Sequence, residues 1–178
     1  GGWGGRCVAG GRAAGGTVIP ARMDIDWFTL ARVAHVASVV GWIGGVWSVT
    51  FVVMPAIARS EAPAARLAAC HRIEQGFAPQ AQFWVLLAGV SGFGMTWEAD
   101  LWWRFADPAM WWMHAMLGLW LVFALMLFVA EPLVLHRRMA QSPDPAADWQ
   151  RIVWLHRVLS VAALITTLGA MAGAHGLI

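Results

Sequence analysis

Residues 31–47 read ARVAHVASVVGWIGGVW, an apolar run that nevertheless holds Arg32 and His35. Placed on a helix at about 100° per residue, the run separates into two stripes. Arg32, His35, Val39 and Trp42 share one, and Ala34, Ser38, Gly41, Gly45 and Ser48 form the other. The second stripe is a small-xxx-small surface, the pattern that lets membrane helices approach closely. His35 therefore borders a helix contact and is predicted to face away from lipid. It lies roughly 12 Å along the helix from Trp27, at about 1.5 Å per residue.

The rest of the chain agrees with a membrane setting. Of 178 residues, 60% are hydrophobic and only 12% charged, whereas a soluble domain carries about 25% charged residues. Mean hydropathy is +0.62. The expected class is all-α, a polytopic membrane protein built as a four-helix transmembrane bundle in residues 23–178. A bilayer core needs about 20 helical residues, and four segments qualify: 27–58, 82–103, 109–135 and 152–177. Pro79 and Pro108 stand just before helices, while Pro55 and Pro132 are expected to kink or end theirs. Residues 1–22 are mostly Gly, Ala and Arg, so they read as a disordered leader or tail. Cys7 and Cys70 form no CxxC pair, which removes zinc and dithiol chemistry. The net charge of +2 is too small and scattered for a nucleic-acid surface.

Arginines set the expected orientation. Arg59, Arg66 and Arg72 lie in the first connection and Arg137, Arg138 and Arg151 in the third. The middle one holds Arg104 among Glu98, Asp100 and Asp107. The first and third connections are thus expected to face the cytoplasm, with both termini outside. Trp97, Trp102, Trp103, Trp111 and Trp112 are expected to form an outer aromatic belt.

The third segment contains AMWWMHAMLGLW, in which Gly118 lies one turn past His114. His35 and His114 then fall at similar depth. Two histidines on facing helices beside small residues suit a flat cofactor, haem b, with imidazoles as axial ligands. Arg32 would contact a propionate or snorkel to the surface, and Trp42 would line the site. Either histidine could instead be an interhelical hydrogen-bond partner. His156 aligns with Ser160, Ala163, Thr167, Ala170 and Ala174. It reads as a packing histidine, as a ligand to a second haem with His71, or as a partner of Glu74 or Glu131. His175 could complete an outer site or be a frayed terminal residue, and His136 reads as a surface residue. Copper bound by His35, His114 and nearby thioethers is the alternative. However, Met110, Met113 and Met116 spread around their helix, and methionine is a common filler. No nucleophile elbow, P-loop or dinucleotide fingerprint is present.

AHVASVVGWIGGVWSVTFVVMPA resembles the first helix of the copper-resistance protein D family and of HemJ-type protoporphyrinogen oxidases, through His35, Trp42 and Gly44-Gly45. WWMHAMLGLW resembles a later helix, with His114 at the histidine position. RIEQGFAPQAQFWVLLAGVSGF resembles the start of the second helix, with Arg72, Glu74 and Pro79. The resemblance covers residues 27–178. It implies a bundle of four or more helices, with haem b in one branch and inner-membrane copper handling in the other. Met116 stands where the HemJ branch carries lysine, which counts against protoporphyrinogen oxidation and leaves haem binding open.

The leading expectation is a bacterial inner-membrane protein holding one haem b between His35 and His114. It would transfer electrons with a quinol or a redox partner protein, as a homo-oligomer or within a membrane complex. Copper transport, HemJ-like oxidation and a structural subunit are the alternatives, so enzymatic activity stays open.

Overall fold

The computed structural model describes residues 26–135 and 143–177. Every regular element among them is helical. The first helix, α1, runs from Trp27 to Ser60. Asp26 caps it: its carboxylate accepts from the Phe28 amide at 3.1 Å and the Thr29 hydroxyl at 2.6 Å. This satisfies amides that have no partner in the first turn, and the hydroxyl bond holds the Asp26 carboxyl below its usual value.

Pro55 does not end α1. Residues Val49–Val53 widen into a π-helical turn, in which the Met54 amide donates to the Val49 carbonyl. A proline has no amide to offer and its ring crowds the carbonyl four residues back; the wide turn just before it relieves both problems. Helix α3 repeats the device. Trp111–Leu125 is α-helical and Met126–Leu135, which contains Pro132, is π-helical.

The second helix departs most from expectation. α2 spans Arg66–Glu98, so it starts well before residue 82 and ends before residue 103. Arg66, Arg72, Cys70 and Glu74 are helical residues, not members of a connection, and Pro79 lies inside the helix. The early turns are polar in composition but amphipathic in pattern: Leu67, Ala69 and Cys70 are buried while Arg72 is exposed. Packing of that narrow stripe outweighs the local composition. Short 3-10 turns at Leu101–Phe105 and Pro108–Met110 lead into α3. The last helix, α4, covers Pro145–Ala174, with Asp144 as its cap and proline in its first turn. It starts earlier than residue 152 and ends before residue 177.

Among the described residues, three helical stretches are long and apolar enough to cross a membrane: Trp27–Ser60, Pro108–Ala130 and Pro145–Ala174. The glycines, Ser91, Thr96 and nearby glutamines of α2 dilute its hydropathy.

α1 packs most extensively on α2, and α4 touches α1, α2 and α3. Two apolar clusters occupy the interior. Trp42, Val46, Val85, Ala88, Phe123 and Leu159 fill its middle. Val49, Met54, Ile57, Ala69, Cys70 and Trp149 fill the end near the α1–α2 connection. Lipid offers little hydrophobic drive for helix association, so close packing must supply the attraction. Glycine notches supply it here. A Cβ on Gly41 would lie 2.7 Å from Trp84 and on Gly89 2.6 Å from Trp120, and on Gly169 it would run into Trp111.

Candidate functional site

Two groups of polar side chains lie within the bundle. The first surrounds His35. The small stripe of α1 does face a helix, as expected: Ser38 is fully buried, and Trp84 and Phe77 of α2 rest on Gly41 and Gly45. His35 sits at the same seam. Its Nδ1 lies 2.9 Å from the Ala88 carbonyl and 3.2 Å from the Ser91 hydroxyl. A carbonyl can only accept, so in the neutral ring Nδ1 carries the proton and Nε2 keeps its lone pair. Gly92 makes this approach feasible, because a Cβ there would be 3.1 Å from His35 Cε1. The result is a half-buried imidazole whose ring orientation is fixed by backbone.

The other expected members are placed differently. His114 is exposed and meets Phe105 edge-on, with ring centroids 5.6 Å apart. Gly118 is also exposed, with no atom near the position of a Cβ. His114 thus points off the bundle, and the structure does not bring it to His35. The cause is the register of α3: neighbouring Trp111 and Trp112 fill Gly169 and Gly173 of α4, which turns the face of His114 outward. Trp112 is therefore buried and leaves the aromatic belt, while Trp97, Trp102, Trp103 and Trp111 remain exposed. Arg32 is exposed, its guanidinium 4.8 Å above the Phe28 ring. Trp42 does not line a slot beside His35. It is 5% exposed and packs edge-on against Phe123 at 4.9 Å in the centre of the bundle.

One polar feature of that centre has no intramolecular answer. The indole nitrogens of Trp42 and Trp84 are buried without a hydrogen-bond partner among the described residues. Trp84 Nε1 lies 3.0 Å from the Cβ position of Gly41, beside Trp42 in sequence. A buried donor left unpaired costs about 1–3 kcal/mol. By contrast, the indole of Trp120 donates to the Val85 carbonyl at 2.8 Å.

The second polar group lies toward the α1–α2 connection. His156 of α4 donates from Nδ1 to the Ile152 carbonyl at 3.0 Å, and its Nε2 is 3.8 Å from Glu74 Oε1 of α2. Glu74 also accepts from the Cys70 thiol at 3.5 Å. Burial, then the adjacent Glu74 carboxylate, pushes the Cys70 thiol up from its ordinary value, so it stays protonated and is a poor nucleophile. One turn further along α4, Ser160 meets Thr50 at 3.0 Å. Thr50 spends its own proton on the Val46 carbonyl at 2.7 Å, so Ser160 is the donor to Thr50.

His156 thus pairs with Glu74, one of the two partners expected from sequence; the side chain of the other, Glu131, lies outside the described residues. His71 lies 3.1 Å from Gln75 of its own helix, which gives no support to a shared ligand role with His156. His175 is exposed and bonded to the Met171 carbonyl. His136 also lies outside the described residues. The roles of Ser91, Cys70 and Thr50 had no sequence signal, since each depends on a distant helix. Among the described residues, no group of three or more His, Cys, Asp and Glu side chains converges as a metal site. No protein family, curated protein or solved structure matches the chain.

Proposed function

We propose that this chain is a four-span protein of the bacterial inner membrane that binds haem b through His35 and serves electron transfer. The observation that carries the reading is the Nδ1 contact from His35 to the Ala88 carbonyl at 2.9 Å. Metal-ligating histidines nearly always donate their other nitrogen to such a partner, which fixes the ring and raises its basicity. The unpaired indole donors of Trp42 and Trp84 add a second support, since an acceptor oxygen of a cofactor or quinone would satisfy them.

The fourth span is the later part of α2, residues 82–98. Phe83, Leu86, Val90, Phe93 and Trp97 are all exposed and recur at helical spacing along one face, as a lipid-facing stripe does. Arg59, Arg66, Arg72, Arg151 and Arg157 gather at one end of the bundle, which supports a cytoplasmic placement of that end.

Bound haem would supply a one-electron couple whose potential its axial ligands and surroundings tune. The chain's part is to orient the imidazole through Ala88 and Ser91, to exclude water with its aromatic packing, and to offer Arg32 at the surface end of α1. His114 joins the same iron only if α3 turns its exposed face inward.

Oxidised and dithionite-reduced spectra of protein expressed with ample haem test this. A Soret band is expected, lost in His35→Ala. A His114→Ala protein that keeps sharp low-spin bands would show that His114 is not the second ligand. Absence of any Soret band in the unsubstituted protein overturns the reading.

A further inference from the structure

We infer that a cavity between α1, α2 and α4 binds a phosphate ester, and that its occupant is the headgroup of an anionic phosphoglyceride. The inference depends on the membrane setting and not on haem. The cavity has a volume of about 280 Å³. Thr50, Arg66, Gln150 and Arg157 make its polar side, and Met54 and Trp149 contribute to its apolar floor. Among the described residues, no aspartate or glutamate lines it.

Among the described residues, no carboxylate balances the two guanidiniums. Arg66 donates from Nε to the Glu61 carbonyl at 3.1 Å and from Nη2 to the Ala58 carbonyl at 2.9 Å. Those bonds fix the guanidinium plane and use its Nε side. The Nη1–Nη2 edge keeps its N–H groups, the fork that matches a phosphate. Arg157 has no hydrogen bond or ion pair among the described residues. Two cations converging on a partly enclosed space favour an anion between them, and Gln150 adds an amide donor.

The surroundings favour a lipid over a free ion. The floor is apolar, which wastes most of the cavity on inorganic phosphate but suits a glycerol backbone. Gln150 also borders a shallow apolar surface groove formed with Arg151, Trp154 and Leu155, a path for an acyl chain. Basic pockets between membrane helices bind lipid headgroups on this physical basis.

The test uses the full chain in neutral detergent, titrated separately with short-chain phosphatidylglycerol, short-chain phosphatidylcholine and inorganic phosphate. Saturable binding of phosphatidylglycerol, with little of phosphatidylcholine, is expected. Arg157→Gln should raise its dissociation constant by about tenfold, the loss of one charge-assisted pair. Arg157 is exposed and bonds nothing else among the described residues, so this variant keeps the fold. Arg72→Gln is the control: Arg72 is exposed and lines neither the cavity nor the groove, so binding should be unchanged. Inorganic phosphate binding as tightly, with the same dependence on Arg157, overturns the lipid assignment and leaves a phosphate site. Equal losses in the Arg72 and Arg157 variants overturn the site, as does an absence of saturable binding.

Discussion

The seam around His35 and the polar end around Glu74 are built on opposite principles. At the seam, shape dominates. Gly41, Gly89 and Gly92 accept Trp84, Trp120 and His35, and the polar atoms of His35 and Ser38 answer largely to backbone carbonyls. At the other end, side chains answer one another across helices: Cys70 and Glu74 from α2, His156 and Ser160 from α4, Thr50 from α1. A shape-built region resists change because bulky rings leave it no slack. A chemistry-built region responds to charge and proton supply. The first fixes side chains in one arrangement, and the second places titratable groups within reach of one another.

The largest break in this contrast should come from adding one carbon at the seam. Gly89→Ala places a Cβ 2.6 Å from Trp120. That ring cannot simply swing aside, because its indole is bonded to the Val85 carbonyl at 2.8 Å. Overpacking costs about 1–3 kcal/mol, and displacing the ring forfeits the hydrogen bond as well. A melting temperature lowered by several degrees in detergent is expected. Gly44→Ala, where the added carbon meets nothing within 4 Å, should melt like the unsubstituted protein. Equal melting of both variants would show that the seam has slack.

At the polar end the corresponding change is smaller and additive in a different way. Thr50→Val removes the acceptor of Ser160, a fully buried hydroxyl with no other partner among the described residues. Leaving it unpaired costs about 1–2 kcal/mol. Removing both hydroxyls, with Thr50→Val and Ser160→Ala together, should cost less than the two single changes summed. Thermal melts in a double-mutant cycle measure that coupling. Strict additivity would mean the hydroxyls do not interact.

The same contrast explains what was legible from residue order. Apolar run lengths announce membrane helices, and the Ser38–Gly41–Gly45 stripe announces a contact face, because both are local periodicities. What fills a notch is not local. Residue order suggests room beside His35 and at Gly118; in the fold the Trp84 indole fills Gly41 while Gly118 lies exposed with nothing near it, and only the register between distant helices decides this. His114 stays exposed for the same reason, since Trp112 takes the inner side of α3. The early half of α2 is hidden in residue order because Arg66 and Arg72 read as a connection; a thin buried stripe through Leu67 and Cys70 holds them in a helix. The Glu74–His156 pairing was half legible, since a histidine among small residues needs a polar partner but residue order does not say which.

The smallest effect probes the chemistry of the polar end most directly. Cys70 is 1% exposed, and its raised thiol combines burial with the charge of Glu74. Folding moves this thiol above its ordinary value of 9.0, so the folded chain holds the proton more tightly than the unfolded chain. The associated stability is present below pH 9.0 and declines as pH climbs past it. Glu74→Gln removes the negative charge and leaves burial in place. The thiol should then fall part of the way back, and alkylation of Cys70 at a fixed pH should quicken by a few-fold, because the thiolate is the reacting form. A Cys7→Ser background confines the measurement to Cys70. His156→Ala should act in the opposite direction if the imidazole shares the carboxylate's charge, slowing alkylation slightly. Identical rates in all three proteins would mean that burial alone governs the thiol and that Glu74 does not act on it electrostatically.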